Sequence, residues 1–220
     1  MANITTEHPA FKAKRKAMAP KSRNNGCYYY AKEIEKFIIP AVETKRSWNS
    51  LTINECGAED GMICFIHNNA TPWAYRWLEK YDDLILVCSN QNTIPFVQHL
   101  GKTIYLPLSV DTEYVAKFKA DKIPGSIAMV GNTWTSEMLR TRIDPAAERL
   151  GRGMARTTLL KELAKREKVY AVGRCAIEAL VLGCELLPTE TRTTSNQYTE
   201  ILDSRDAAKI LQTKLKEIGG

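Results

Sequence analysis

Apolar positions along the chain fall into short unbroken runs, and these alternate with stretches of helical spacing. Runs at 62–66, 84–88, 103–106, 126–130 and 169–172 are rich in Ile, Leu and Val and read as buried strands, with shorter candidates at 50–54 and 184–187. Between them the spacing predicts helices over 28–39, 72–80, 92–100, 112–119, 134–142, 155–166 and 174–182, and a last one over 203–218. In the first, Tyr29, Tyr30, Ile34 and Phe37 share a face, and Pro40 ends it. Thr71 and Pro72 suit the N-cap and first position of the second. Residues 144–152 are less defined, and no clear strand shows between Val130 and Val169.

Strands alternating with helices predict an α/β fold of two small Rossmann-like domains, with parallel, doubly wound sheets flanked by helices on both faces. The expected organisation is an arm over 1–22, an N-terminal domain over 23–122, a second domain over 123–200, and a C-terminal helix over 201–220 packing back across both. The order of strands is not readable from the pattern.

The chain holds 220 residues, 44% hydrophobic and 25% charged, an ordinary globular composition. No apolar run approaches the roughly 20 residues that span a bilayer, and no signal-peptide core opens the sequence, which predicts a cytoplasmic protein. Six cysteines lack C-x-x-C spacing and read as buried thiols. The formal charge of +6 is matched by six cations near the N-terminus: Lys12, Lys14, Arg15, Lys16, Lys21 and Arg23. Such an arm is either a solvated tail or a clamp for a polyanion such as DNA.

The densest chemistry lies in K-V-Y-A-V-G-R-C-A-I-E-A-L-V-L-G-C-E-L-L-P, residues 168–188. A strand, a glycine turn, a short helix and another strand form a βαβ unit, whose helix N-terminus attracts anions. Gly173 makes the turn, Arg174 adds a cation, and Glu178 lies one helical turn further on. Glu178 sits among Ala176, Ile177, Ala179 and Leu180, so its carboxylate needs a partner: a ribose diol, or a neighbouring Arg or Lys. His67, Asn68 and Asn69 follow a strand, where a histidine can serve as general base or hold a sugar oxygen, or simply cap a loop. Asn24, Asn25 and Gly26 precede a helix; Asp111 opens another and suits either an acceptor contact or a cap. Asn132, Thr133 and Thr135, with Arg140 and Arg142, follow the strand ending at Gly131. The histidines are not spaced as metal ligands, and no D-x-D, G-x-x-x-x-G-K-[S/T], G-x-S-x-G or H-E-x-x-H sequence occurs.

The stretch G-R-C-A-I-E-A-L-V-L-G-C-E resembles the donor-site helix of GT-B glycosyltransferases, often written G-x-x-x-L-E-A-M-A-x-G-x-P. L-P-L-S-V-D, ending at Asp111, is similar to that family's I-P-N-G-V-D segment, and A-M-V-G, ending at Gly131, to its first donor-domain strand. Together with N-G-C-Y-Y-Y-A-K-E-I and H-N-N, the series most resembles small bacteriophage-encoded glycosyltransferases. The resemblance implies transfer of a sugar from a nucleotide-diphosphate sugar to a hydroxyl, with no cofactor beyond that donor and no metal. It implies nucleotide-sugar contacts at Gly131, Asn132, Thr133, Arg140, Gly173, Arg174 and Glu178, the last on the ribose. Within such an enzyme the residues read above supply the expected acceptor contacts, Asn24, Gly26, Asn68 and Asp111, and the expected catalytic residue, His67. The acceptor suggested by a phage origin and a basic arm is a hydroxymethylated base in DNA. The family's first conserved acid, which meets the transferred sugar, falls on Tyr170. The alternative function is a module that binds a nucleotide without turning it over.

Overall fold

The computed structural model describes residues 26–51, 58–66, 75–131, 143–151, 153–188 and 200–219. They form an α/β fold with two four-stranded, wholly parallel sheets flanked by helices. The chain divides into two compact units. Ala31–Pro107 belongs to the first, with the segment from Arg205 onward; the segment ending at Tyr30 and Leu108–Ser204 belong to the second. Residues 108–122, placed before the domain change in the sequence reading, lie in the second unit, and the C-terminal helix lies in the first.

In the first unit the strands are β1 (Trp48–Leu51), β2 (Ile63–Ile66), β3 (Ile85–Cys88) and β4 (Lys102–Tyr105), and they lie side by side in that order. All eight residues of β2 and β3 are buried, which is why they read as continuous apolar runs. Cys64, Ile66, Leu86 and Cys88 join Met62 and Leu84 in one core cluster with Tyr75, Leu78, Val97 and Leu100 from the connections. Ala58, Tyr75, Leu78, Val97 and Leu100, the described core residues of the connections, thus pack on one face of the sheet. The opposite face carries Ile63, Phe65, Ile85 and Val87, each at most 2% exposed. Trp48 meets Phe65 edge-on at 6.3 Å. Among the described residues this sheet shows no reversal of strand order.

The connections are tighter than their spacing predicts. Where a helix is expected over 92–100, a 3₁₀ turn (Gln91–Thr93) leads into α2 (Ile94–Val97), with Pro95 in its first turn. The first helix begins at Gly26 as α1 (Gly26–Glu33), widens to a π turn over Ile34–Ile38, and closes in a 3₁₀ turn, Ile39–Ala41, that contains Pro40. Strand β1 starts two residues before the predicted one and carries Asn49, a polar residue only 1% exposed, which hides it from an apolar reading.

The second unit holds α3 (Thr112–Ala116), β5 (Ile123–Gly131), β6 (Glu148–Gly151), α4 (Arg156–Ala164), β7 (Arg166–Tyr170), α5 (Arg174–Val181) and β8 (Glu185–Leu186). Its sheet order is β6-β5-β7-β8. Strand β6 stands where no strand is expected: only Leu150 of its four residues is buried, so there is no apolar run to see. The chain leaves β5 toward one side, then crosses back to β7 on the other. The crossovers carrying α4 and α5 advance in the same direction and so share a face of the sheet; α3 and α4 both pack on α5. Gly183, at φ +79°, ends α5 as predicted: its N–H donates to Leu180 O, and that of Cys184 to Ala179 O. The last helix, α6 (Ser204–Glu217), buries Ala207, Ala208, Leu211 and Leu215. Cys64, Cys88 and Cys184 are buried free thiols. No helix among the described residues is long and apolar enough to cross a membrane.

Candidate functional site

The reversal between β5 and β7 fixes where the second unit can receive a ligand. In an open parallel sheet the crevice forms at the carboxyl ends of the strands on either side of such a switch point. Strand β5 ends at Gly131, and β7 ends at Tyr170, which pairs with Met129. Ala171, Val172 and Gly173 then turn the chain into α5. Gly173 has φ +59° and ψ −138°, a backbone state open essentially to glycine alone. A Cβ there would meet no atom within 4 Å, so it is the turn, not crowding, that demands glycine.

Arginine begins both helices on this face. Arg156 is the first residue of α4 and Arg174 the first of α5, and neither helix has an acid in its first turn. A cation at a helix N-terminus opposes the macrodipole, so each placement costs a few tenths to about 1 kcal/mol rather than helping the helix. Glu178, on the second turn of α5, joins the two. Its Oε1 accepts from Arg174 Nε at 2.7 Å and from Arg156 Nη1 at 2.7 Å. Glu178 is 1% exposed and Arg174 5%. Of the two partners the sequence leaves open for this carboxylate, arginine is the one it holds.

Aromatic rings complete the cluster. The Arg156 guanidinium lies 4.4 Å from the ring centre of Tyr29 and 6.0 Å from that of Tyr114, a cation–π arrangement built from α1, α3 and α4. Burial raises the Tyr29 hydroxyl pKa above its ordinary value, and the Arg156 charge opposes that rise. Tyr28 packs edge-on against Tyr29 at 5.4 Å, and Tyr114 against Phe118 at 5.3 Å.

Of the residues singled out in the sequence, Gly131, Gly173, Arg174 and Glu178 gather at the switch-point end of the second sheet or on the helix that starts there. Asp111 caps α3, its Oδ1 accepting from Tyr114 N at 3.1 Å. Gly26 is the first residue of α1. Asn24, His67, Asn68, Asn132, Thr133 and Arg140 lie outside the described residues, as do Asn25, Asn69, Thr135, Arg142 and the basic arm. Sequence reasoning missed Arg156, Tyr29 and Tyr114 as site residues. The signal for Arg156 was present: an arginine opening a helix with no acid beside it, as in Arg174. Among the described residues, no three His, Cys, Asp or Glu side chains gather as a metal ion requires. No family model, curated protein or solved structure matches the chain.

Proposed function

We propose that this protein is a compact GT-B-like glycosyltransferase whose second unit holds the diphosphate of a nucleotide sugar. One observation carries the reading. At a topological switch point, two helices start with arginines, one half-buried and one buried, and without first-turn acids, next to a glycine turn. Helix N-termini, arginines and turn amides together suit a diphosphate. In the reaction, an acceptor hydroxyl oxygen bonds to the anomeric carbon of the sugar. The bond from that carbon to the diphosphate breaks, its electron pair leaves on the phosphate oxygen, and the hydroxyl proton passes to a base, for which His67 is the candidate. Preorganised cations and dipoles would stabilise charge growing on the leaving group without a metal. Asn132, Thr133 and Arg140, which follow β5, are further candidates for the donor. Asn24, Gly26, Asn68 and Asp111 are those for the acceptor, and a hydroxymethylated base in phage DNA is the acceptor class proposed.

Thermal shift with a panel of nucleotide sugars tests the reading. A donor at about 100 times its dissociation constant adds roughly 2.7 kcal/mol of stability, a clear rise in Tm. The same donor should release nucleoside diphosphate when a hydroxymethylated oligonucleotide is supplied. Removing residues 1–22 should lower affinity for that oligonucleotide and flatten its salt dependence. If no nucleotide or nucleotide sugar shifts the melt, the donor reading fails.

A second reading is a nucleotide-binding module without turnover. Tyr170 favours it: the side chain at the carboxyl end of β7 is a phenol where the resembled family has the acid that meets the sugar. Tight binding without release of diphosphate in the presence of acceptors would select this reading.

A further inference from the structure

Resting on the donor reading above, we infer that Glu178 is a positioning residue for Arg156 and Arg174, acting on the phosphates through them and not as the ligand of the ribose. The geometry supplies the reason. One carboxylate oxygen takes both guanidinium groups at 2.7 Å, from the first residues of two different helices. Replacing a buried ion cluster by packed apolar side chains is often neutral or stabilising, so stability alone does not explain why such a cluster is kept. What the cluster does achieve is placement. Arginine side chains are long and rich in rotamers, and the macrodipole disfavours a cation at each of these positions. Glu178 counters that repulsion and fixes both forks at the carboxyl end of the switch-point strands. The Tyr29 and Tyr114 rings hold Arg156 from other elements of the same unit. With one oxygen on both guanidinium groups and the residue only 1% exposed, this carboxylate presents little surface to a sugar diol.

Two effects of altering Glu178 must be separated. Removing its negative charge would by itself strengthen anion binding, whereas releasing the arginines would weaken it. Glu178→Asp keeps the charge and shortens the reach by one methylene, so it isolates the positioning effect. The experiment is calorimetric titration of wild type and E178D with inorganic pyrophosphate and with the common ribonucleoside diphosphates. Positioning predicts that E178D weakens pyrophosphate and the bound nucleoside diphosphate by the same factor, roughly tenfold or more, about the worth of one charge-assisted hydrogen bond. A ribose ligand predicts loss for the nucleoside diphosphate alone, and that result would overturn the assignment while leaving the donor site standing. Unchanged binding of both would make the cluster purely structural and also overturn it. If wild type binds neither probe, the donor reading itself fails and the assignment goes with it.

Should E178D not fold, wild type answers the same question with a nucleoside diphosphate lacking both the 2′ and 3′ hydroxyls. Affinity within a factor of about two of the ribonucleotide supports positioning. A loss of roughly tenfold or more, the weight of a hydrogen bond to a charged group, contradicts it.

Discussion

The two sheets are built alike and end differently. Each has four parallel strands, and in each a cation just before the first strand secures the amino edge by binding backbone carbonyls. In the first unit Arg46 donates to Gly61 O and Asp83 O, both at 2.9 Å, and pairs with the Asp83 carboxylate at 2.8 Å. In the second, Lys122 donates to Ala164 O at 2.8 Å and Leu182 O at 2.9 Å, joining the C-terminal ends of α4 and α5, where cations are favoured. The carboxyl ends diverge. Among the described residues of the first sheet the strand order does not reverse, and after β3 Ser89 Oγ donates to Ile66 O and Asn90 Oδ1 accepts from Asn92 N. In the second sheet the order reverses at β5 and β7, and that end carries a strained glycine turn and an Arg–Glu–Arg cluster around a buried carboxylate. Two four-stranded parallel sheets thus differ, among the described residues, in what stands at their carboxyl ends, and the second carries a candidate anion site. Strand order and what begins the helices make the difference.

Substitutions at equivalent ends should expose that contrast. Glu178→Ala leaves two arginines clustered without their shared carboxylate and should cost about 3–5 kcal/mol in denaturant titration. Ser89→Ala, at the carboxyl end of β3, loses one neutral hydrogen bond and should cost only about 1 kcal/mol. Equal losses would remove the distinction. Gly173→Ala should cost about 1–3 kcal/mol, because alanine cannot hold φ +59° with ψ −138° without strain. At the amino ends the units should respond alike: Lys122→Met and Arg46→Met each leave backbone carbonyls without a donor, for about 1–3 kcal/mol. The Lys122 change should be the larger, since it releases the ends of two helices.

A further effect, confined to alkaline pH, belongs to the first unit. Burial pushes the Cys64 and Cys88 thiols up to about 12. In the unfolded chain they ionise near ~8.5, so their contribution is fully present below that pH and falls as pH rises above it. The expected loss is about 1.4 kcal/mol per thiol for each pH unit above ~9, up to the folded values. Stability measured between pH 7 and 10 should decline less steeply in C64A/C88A than in wild type.

These comparisons also show what could be read from the chain. Strands β2 and β3 were legible because burial on both faces writes an uninterrupted apolar run, and β5 through its buried end, Ala128, Met129 and Val130. Helix α5 with its Gly173 turn and Gly183 cap was legible because glycine marks conformations closed to other residues. Strand β6 was not, since an edge strand with one buried residue has no period to detect. Nor was the start of β7, where Arg166, Glu167 and Lys168 continue a helical-looking pattern. Arg166 is drawn into the sheet by Glu148 of β6 at 2.7 Å, a partner 18 positions away that local pattern cannot see. The site was half legible. Arg174 and Glu178 share one helix at a spacing of one turn, whereas Arg156 meets them only because the crossovers from β6 and β7 lie on one face. Strand order fixes that, and no local period encodes it.

Hydrogen–deuterium exchange of the whole protein, with and without a saturating ribonucleoside diphosphate, tests the central claim most directly. The account predicts slowed exchange at Gly131 and across 171–178, at the carboxyl end of the second sheet, with residues 89–93 at the carboxyl end of the first unchanged. Slowing at 89–93 with none across 171–178 would contradict it.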